Sequence, residues 1–177
     1  MAGPIYDATV AYLRGRDLVL DEDPAEDMVS FTVSLPDAEW HVYAWARDDA
    51  SELLVHSVLP YHVPAERRTE AALFLTRANL GLSLGNWELD LDDGEVRFKT
   101  CLDLNGEPPM PGLIKPQFDA NLYTTHSYLA GLAAVVGGVD AAAAIKLAEP
   151  SASADPTPST EEVESPPAAK RGRRTRS

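Results

Sequence analysis

Residues 64–104, PAERRTEAALFLTRANLGLSLGNWELDLDDGEVRFKTCLDL, read as a capped helix followed by a β-hairpin, and this reading decides the fold. Pro64 stands where a first helical turn tolerates a residue without an N–H, and Glu66 follows early. Ala71, Phe74, Leu75, Ala78 and Leu82 run down one side, with Gly81 and Gly85 as breakers. Beyond the glycines the period changes to two. Trp87, Leu89 and Leu91 alternate with Glu88, Asp90 and Asp92; Asp93-Gly94 supplies a two-residue turn; Val96, Phe98 and Thr100 alternate with Glu95, Arg97 and Lys99. A tight turn predicts Leu91 opposite Val96, Leu89 opposite Phe98 and Trp87 opposite Thr100 on an apolar face, with Asp90 facing Arg97 and Glu88 facing Lys99 behind it. Such pairs add up to about 1 kcal/mol each, whereas a one-residue slip would turn the whole apolar set outward.

Upstream, Pro4 to Arg14 predicts a helix with Ile5, Thr9, Val10 and Leu13 inward and Gly15 at its end. Leu18 and Leu20 read as a short strand closed by an acidic turn, DEDPAED. From Met28 the period is two: Val29, Phe31, Val33 and Leu35 alternate with Met28, Ser30, Thr32 and Ser34 as far as the Pro36-Asp37 turn. Strands over 39–47 and 52–59 follow, joined through residues 48–51. Even-numbered turns place Phe31 opposite Val42, Val33 opposite Trp40, Val29 opposite Ala44 and Val55 beside Ala44, on a face covered by helices. The opposite face collects Met28, Thr32, His41, Tyr43, Trp45, Leu54, His56 and Val58, too apolar and aromatic for a purely solvated surface. A patch of that kind marks a partner or ligand surface unless a helix or the second hairpin covers it.

Downstream of the hairpin, Asn105-Gly106 and a Pro-rich turn precede a helix predicted over 113–136. Its inward stripe is Ile114, Phe118, Leu122, Tyr128 or Leu129, Leu132, Ala133 and Val136, and Pro116 fits only within its first turn. Gly137-Gly138 stops it, and Asp140 caps a last helix through Ala148. The order α-β-β-β(β)-α-β-β-α-α, rich in hairpins, gives an α+β fold, an antiparallel sheet of meander plus DG hairpin packed with helices.

At 177 residues the chain has room for one core with an appendage: a domain over 1–148 and a tail over 149–177 of Ser, Pro, Thr, Ala and charge that is expected to be disordered. The tail's acids, Glu149, Asp155, Glu161, Glu162 and Glu164, equal in number its bases, Lys170, Arg171, Arg173, Arg174 and Arg176. The whole formal charge of −13 therefore belongs to the domain, which repels nucleic acid and anionic membrane and leaves the basic tail end as the place where RNA or an acidic partner could touch. No apolar run is long enough to span a bilayer, and Asp7, Arg14 and Arg16 interrupt the region a signal peptide needs, so the expected location is the cytoplasm. A lone Cys101 fits a reducing compartment and falls in the outward set with Arg97 and Lys99.

No constellation names a reaction. Gly81–Gly85 lies between helix and strand, the reverse of a phosphate loop. His41, His56, His62 and His126 lack metal-ligand spacing, so no metal and no cofactor is expected. The acidic pairs Asp92-Asp93 and Asp48-Asp49 read as solvated turns, and no GxSxG elbow is present.

The 64–104 block, followed by a helix carrying Asn121, Tyr128, Leu129 and Leu132 and closing on Val135-Val136-Gly137-Gly138, resembles the bacterial YbjN domain family over roughly Leu18 to Ala148. That family carries the label of a sensory transduction regulator, and its fold is similar to that of type III secretion chaperones. The resemblance implies a peptide-binding or adaptor domain, often dimeric, without catalytic residues to carry over. A chaperone-like protein that binds a protein or peptide partner through Met28, His41, Tyr43, Trp45, Leu54, His56 and Val58 is the expected function. A homodimer using the same face is the alternative, and an unrecognised hydrolase is the third.

Overall fold

The two-residue period becomes a meander in the computed structural model, which describes residues 3–149: a short β1 (Asp21–Asp23), then β2 (Met28–Leu35), β3 (Ala38–Arg47) and β4 (Glu52–Val58). Pro36-Asp37 joins β2 to β3, and residues 48–51 join β3 to β4, with Ser51 in the left-handed region at φ 58°. Even turns keep the parity, so Phe31 pairs with Val42, Val33 with Trp40, Val29 with Ala44, and Ala44 with Val55. A 3-10 turn at Ala65–Arg67 leads into α2 (Arg68–Gly81), then β5 (Asn86–Leu89) and β6 (Val96–Asp103) form the hairpin. β6 pairs back onto β4, giving one antiparallel sheet in the order β1-β2-β3-β4-β6-β5.

α1 (Pro4–Arg14), α2 and α3 (Pro111–Val136) lie on one side of the sheet, and α4 (Ala141–Ala148) packs on α2 and α3. They bury the face of Val29, Phe31, Trp40, Val42, Ala44, Val55 and Phe98, and Phe118 of α3 reaches both Phe31 and Tyr12. This is a two-layer α+β architecture, a helical layer on one side of an antiparallel sheet. No helix among the described residues is long and apolar enough to cross a membrane. The tail from residue 150, with its basic end, lies outside the described residues.

Three expectations need correction. The hairpin is offset by two residues: Leu89 pairs with Val96, Trp87 with Phe98, Glu88 with Arg97 and Asn86 with Lys99. The connection is longer than Asp93-Gly94, because the Asp90 N–H donates to the Glu95 carbonyl and the Gly94 N–H to the Asp90 carbonyl, both at 2.9 Å. The Asp90 carboxylate also accepts from the Asp92 N–H at 2.8 Å, an Asx turn that outcompetes the two-residue loop. An even offset preserves both faces, but Leu91 leaves the apolar set for the loop and is 62% exposed.

Second, β1 is not at Leu18 and Leu20 but in the acidic segment read as turn, pairing Asp21 with Ser30 and Asp23 with Met28. The Asp23 carboxylate accepts from the Ala25 and Glu26 N–H groups, which confines the turn to the residues after it. Third, α3 begins at Pro111, where the Met110 carbonyl accepts from Leu113 and Ile114, so Pro116 sits in the second turn. Its buried stripe is Ile114, Gln117, Phe118, Asn121, Thr124, Thr125, Tyr128, Gly131, Leu132 and Val135, while Leu122, Leu129 and Val136 are half-buried and Ala133 is exposed. Hydropathy steers a predicted stripe away from Asn and Thr; here Asn121 is inward because the sheet offers it partners, and Thr125 because its hydroxyl donates to the Asn121 carbonyl within the helix.

Candidate functional site

The sheet face turned away from the helices is built in rows by the strand registers. One row runs Met28, Trp45, Leu54, Cys101; the next Ser30, Tyr43, His56, Lys99, Asn86; the third Thr32, His41, Val58, Arg97, Glu88. All seven expected site residues, and Thr32 with them, stand on this one surface. Thr32 and His41 are exposed and the other six are half-buried, whereas their neighbours on the helix side are closed off; no described helix or hairpin lies over the face.

Its centre is aromatic. Alternate positions on β3 bring the Tyr43 and Trp45 rings to 5.5 Å at 22°, a stacked pair, and the Trp45 ring meets His56 edge-on at 5.0 Å. Thr32 Oγ1 and His41 Nδ1 share a hydrogen bond of 3.1 Å at the margin. On the far side Glu88 accepts from Arg97 at 2.7 Å and from Lys99. Burial works against its charge, yet the hydrogen bonds from Lys99 and Arg97 pull the Glu88 carboxyl down to about 2. Glu88, Arg97 and Lys99 form a charged frame that sequence reasoning left out of the site. Their outward direction was legible in the alternation; their place beside His56 and Val58 depends on the non-local pairing of β4 with β6.

His56 is a neutral, partner-poor ring within this cluster. Burial, then the nearby Arg97 and Lys99 charges, depress it from 6.5 to about 4, with Glu88 acting the other way, and its buried Nε2 has no hydrogen-bond partner. A depressed histidine makes the unfolded chain take up a proton that the folded chain refuses, so stability falls as pH drops from 6.5 toward about 4. His56→Asn is expected to flatten this slope by on the order of 1 kcal/mol, once solvent contact at the ring is discounted. Urea midpoints at pH 7 and pH 4.5 measure it, and an unchanged slope would assign the proton to another group.

The face thus combines flat aromatic area, a histidine whose buried Nε2 has no hydrogen-bond partner, and a frame of already paired charges. Among the described residues no three His, Cys, Asp or Glu side chains converge to hold a metal ion.

A second polar cluster lies in the core. Trp40 Nε1 donates to Ser57 Oγ at 3.0 Å, Ser57 donates to Asn121 Oδ1 at 2.6 Å, and Asn121 Nδ2 donates to the Val55 and Phe98 carbonyls at 3.0 and 3.2 Å. Thr100 Oγ1 donates to the Gln117 carbonyl nearby at 3.2 Å. Every member of the Trp40–Ser57–Asn121 chain has its partner, which makes it a staple between α3 and the sheet rather than a reactive group. Comparison with protein-family models and with curated proteins finds no match to this chain.

Proposed function

We propose that this chain is a non-enzymatic, chaperone-like adaptor that holds a segment of another protein on the open face of its sheet. The observation that carries this reading is the uncovered Tyr43–Trp45–His56 cluster, bordered by Met28, Leu54 and Val58, on the side of the sheet without helices. A one-sided sheet exposed to water carries polar residues there; stacked aromatic rings are the composition of an interface centre. The likeness to the YbjN domain family, and through it to type III secretion chaperones, is offered on the same footing and rests on the 64–104 block and the residues of α3. Cytoplasmic location is part of the same proposal.

Substituting both Tyr43 and Trp45 with Ser is expected to reduce partner capture from the native cell extract by more than tenfold while leaving the circular dichroism spectrum unchanged, because such rings contribute about 2 kcal/mol or more each at interface centres. Undiminished co-purification would sink the reading. Self-association through the same face is a second reading, since a two-fold axis along β3 and β4 sets the two Tyr43–Trp45 clusters against each other. Light scattering of the purified protein separates the two, since a dimer that buries Trp45 leaves no surface for a partner.

A further inference from the structure

The free edge of β2 is a second, separately testable part of the adaptor reading. The Ala46 N–H donates to the Asp27 carbonyl at 2.8 Å, so by antiparallel alternation Val29, Phe31, Val33 and Leu35 turn their backbone groups toward β3. Met28 and Ser30 turn theirs toward β1, which ends its pairing at Asp21 opposite Ser30. Thr32 and Ser34 present the same groups outward, with no strand of the described residues beside them. A continued ladder would set Val19 against Thr32. Instead the pairing ends at Asp21, and residues 17–20 run beside the edge unpaired, with Asp17 at φ 59° and Val19 92% exposed.

The gap this leaves is a cavity on each side of the edge. One, of 370 Å³, is lined on the open-face side by Ser30, Thr32, His41 and Tyr43 and, from the neighbouring segment, by Val19, Leu20 and Asp21. The other, of 550 Å³, is lined on the helix side by Leu18, Phe31, Val33 and Leu122. Successive side chains of a strand point to opposite faces, so two cavities flanking one unpaired edge fit alternate residues of a single extended segment. Charge selects the segment. The Asp21 carboxylate makes no ion pair among the described residues; the second cavity sets Leu18, Val19, Phe31, Val33 and Leu122 beside the edge residues Thr32 and Ser34 and the charged Arg16 and Asp17, and Arg16 already bonds Asp119 at 3.0 Å.

We infer that the β2 edge at Thr32 and Ser34 accepts, as an added strand, an extended segment of a partner protein in which apolar residues alternate with lysine or arginine. The apolar residues enter the cavity of Leu18, Phe31, Val33 and Leu122, and the cations face Asp21. This rests on the adaptor reading only in taking a protein segment as the ligand.

The test uses the full chain and two labelled probes of equal composition, acetyl-Lys-Leu-Lys-Leu-Lys-amide and acetyl-Leu-Leu-Lys-Lys-Lys-amide. The alternating peptide is expected to bind at least tenfold more tightly and to slow amide exchange at Thr32 and Ser34. Thr32→Pro removes an outward N–H that the ladder with β3 does not use, and should lose that advantage; Ser34→Pro repeats the test should the first variant fold poorly. Equal binding of the two peptides would reduce the interaction to general attraction by an acidic surface and overturn the site, as would undiminished binding by a folded proline variant. Lost capture by the Tyr43→Ser, Trp45→Ser protein together with intact peptide binding by Thr32→Pro refutes the edge and keeps the adaptor face. The opposite pattern refutes the face and keeps the edge.

Discussion

Gly94→Ala is expected to cost about 4 kcal/mol of stability, combining left-handed backbone strain with a clash against main chain that cannot yield. Gly94 sits at φ +90°, and a Cβ there would lie 2.2 Å from the Val63 carbonyl oxygen and 3.0 Å from Arg68 Nε. The approach is close because the Val63 N–H donates to the Gly94 carbonyl at 2.8 Å, docking the hairpin loop against the entry to α2. Arg68 completes the clamp by donating to the carbonyls of Val63, Leu91, Asp92 and Asp93 at 2.9 to 3.1 Å. Moving the loop to admit a methyl group would loosen this set together. Urea unfolding monitored by Trp fluorescence gives the value, and the melting temperature should fall by roughly 8–16 °C at this chain length. A loss below about 1 kcal/mol would mean that the loop is not held against Val63 as described.

The second large effect falls on Asn121. Asn121→Ala removes the acceptor for Ser57 and the donor to the Val55 and Phe98 carbonyls, all buried, and should cost about 3 kcal/mol because no water replaces the lost partners. Ser57→Ala should cost less, about 1–2 kcal/mol, chiefly by stranding Trp40 Nε1. The double variant should fall short of the sum by about 1 kcal/mol, since the residues share one network. Denaturant midpoints of the four proteins close the cycle, and strict additivity would show that the two side chains act independently.

Asn121 also shows where sequence stops being legible. The meander registers followed from alternation and even turns, because each is a local constraint between adjacent strands. The hairpin's faces followed in the same way, but its register did not, because the Asp90 carboxylate reorganises the loop and alternation is blind to a shift of two. The inward Asn121 was hidden for another reason: its partners are sheet carbonyls supplied by strands far away in the chain, and hydropathy assigns Asn to the surface. The aromatic face was legible residue by residue. Its charged frame and the open edge of β2 were not, since the first needs the β4–β6 pairing and the second needs to know where β1 stops.

Among the described residues, the pairing of β4 with β6 is the sole strand contact between strands not consecutive along the chain, and Asn121 bonds one carbonyl on each side of it. Residues 21–58 and 86–103 can each zip through neighbouring contacts, but the joint between them must close before both of those carbonyls are in place. The amide of Asn121 thus acts as a latch on an event of folding order, engaged only when two independently formed halves have met. Its loss should then appear mainly as a faster unfolding limb with little change in the folding limb, separating a late latch from an early nucleus.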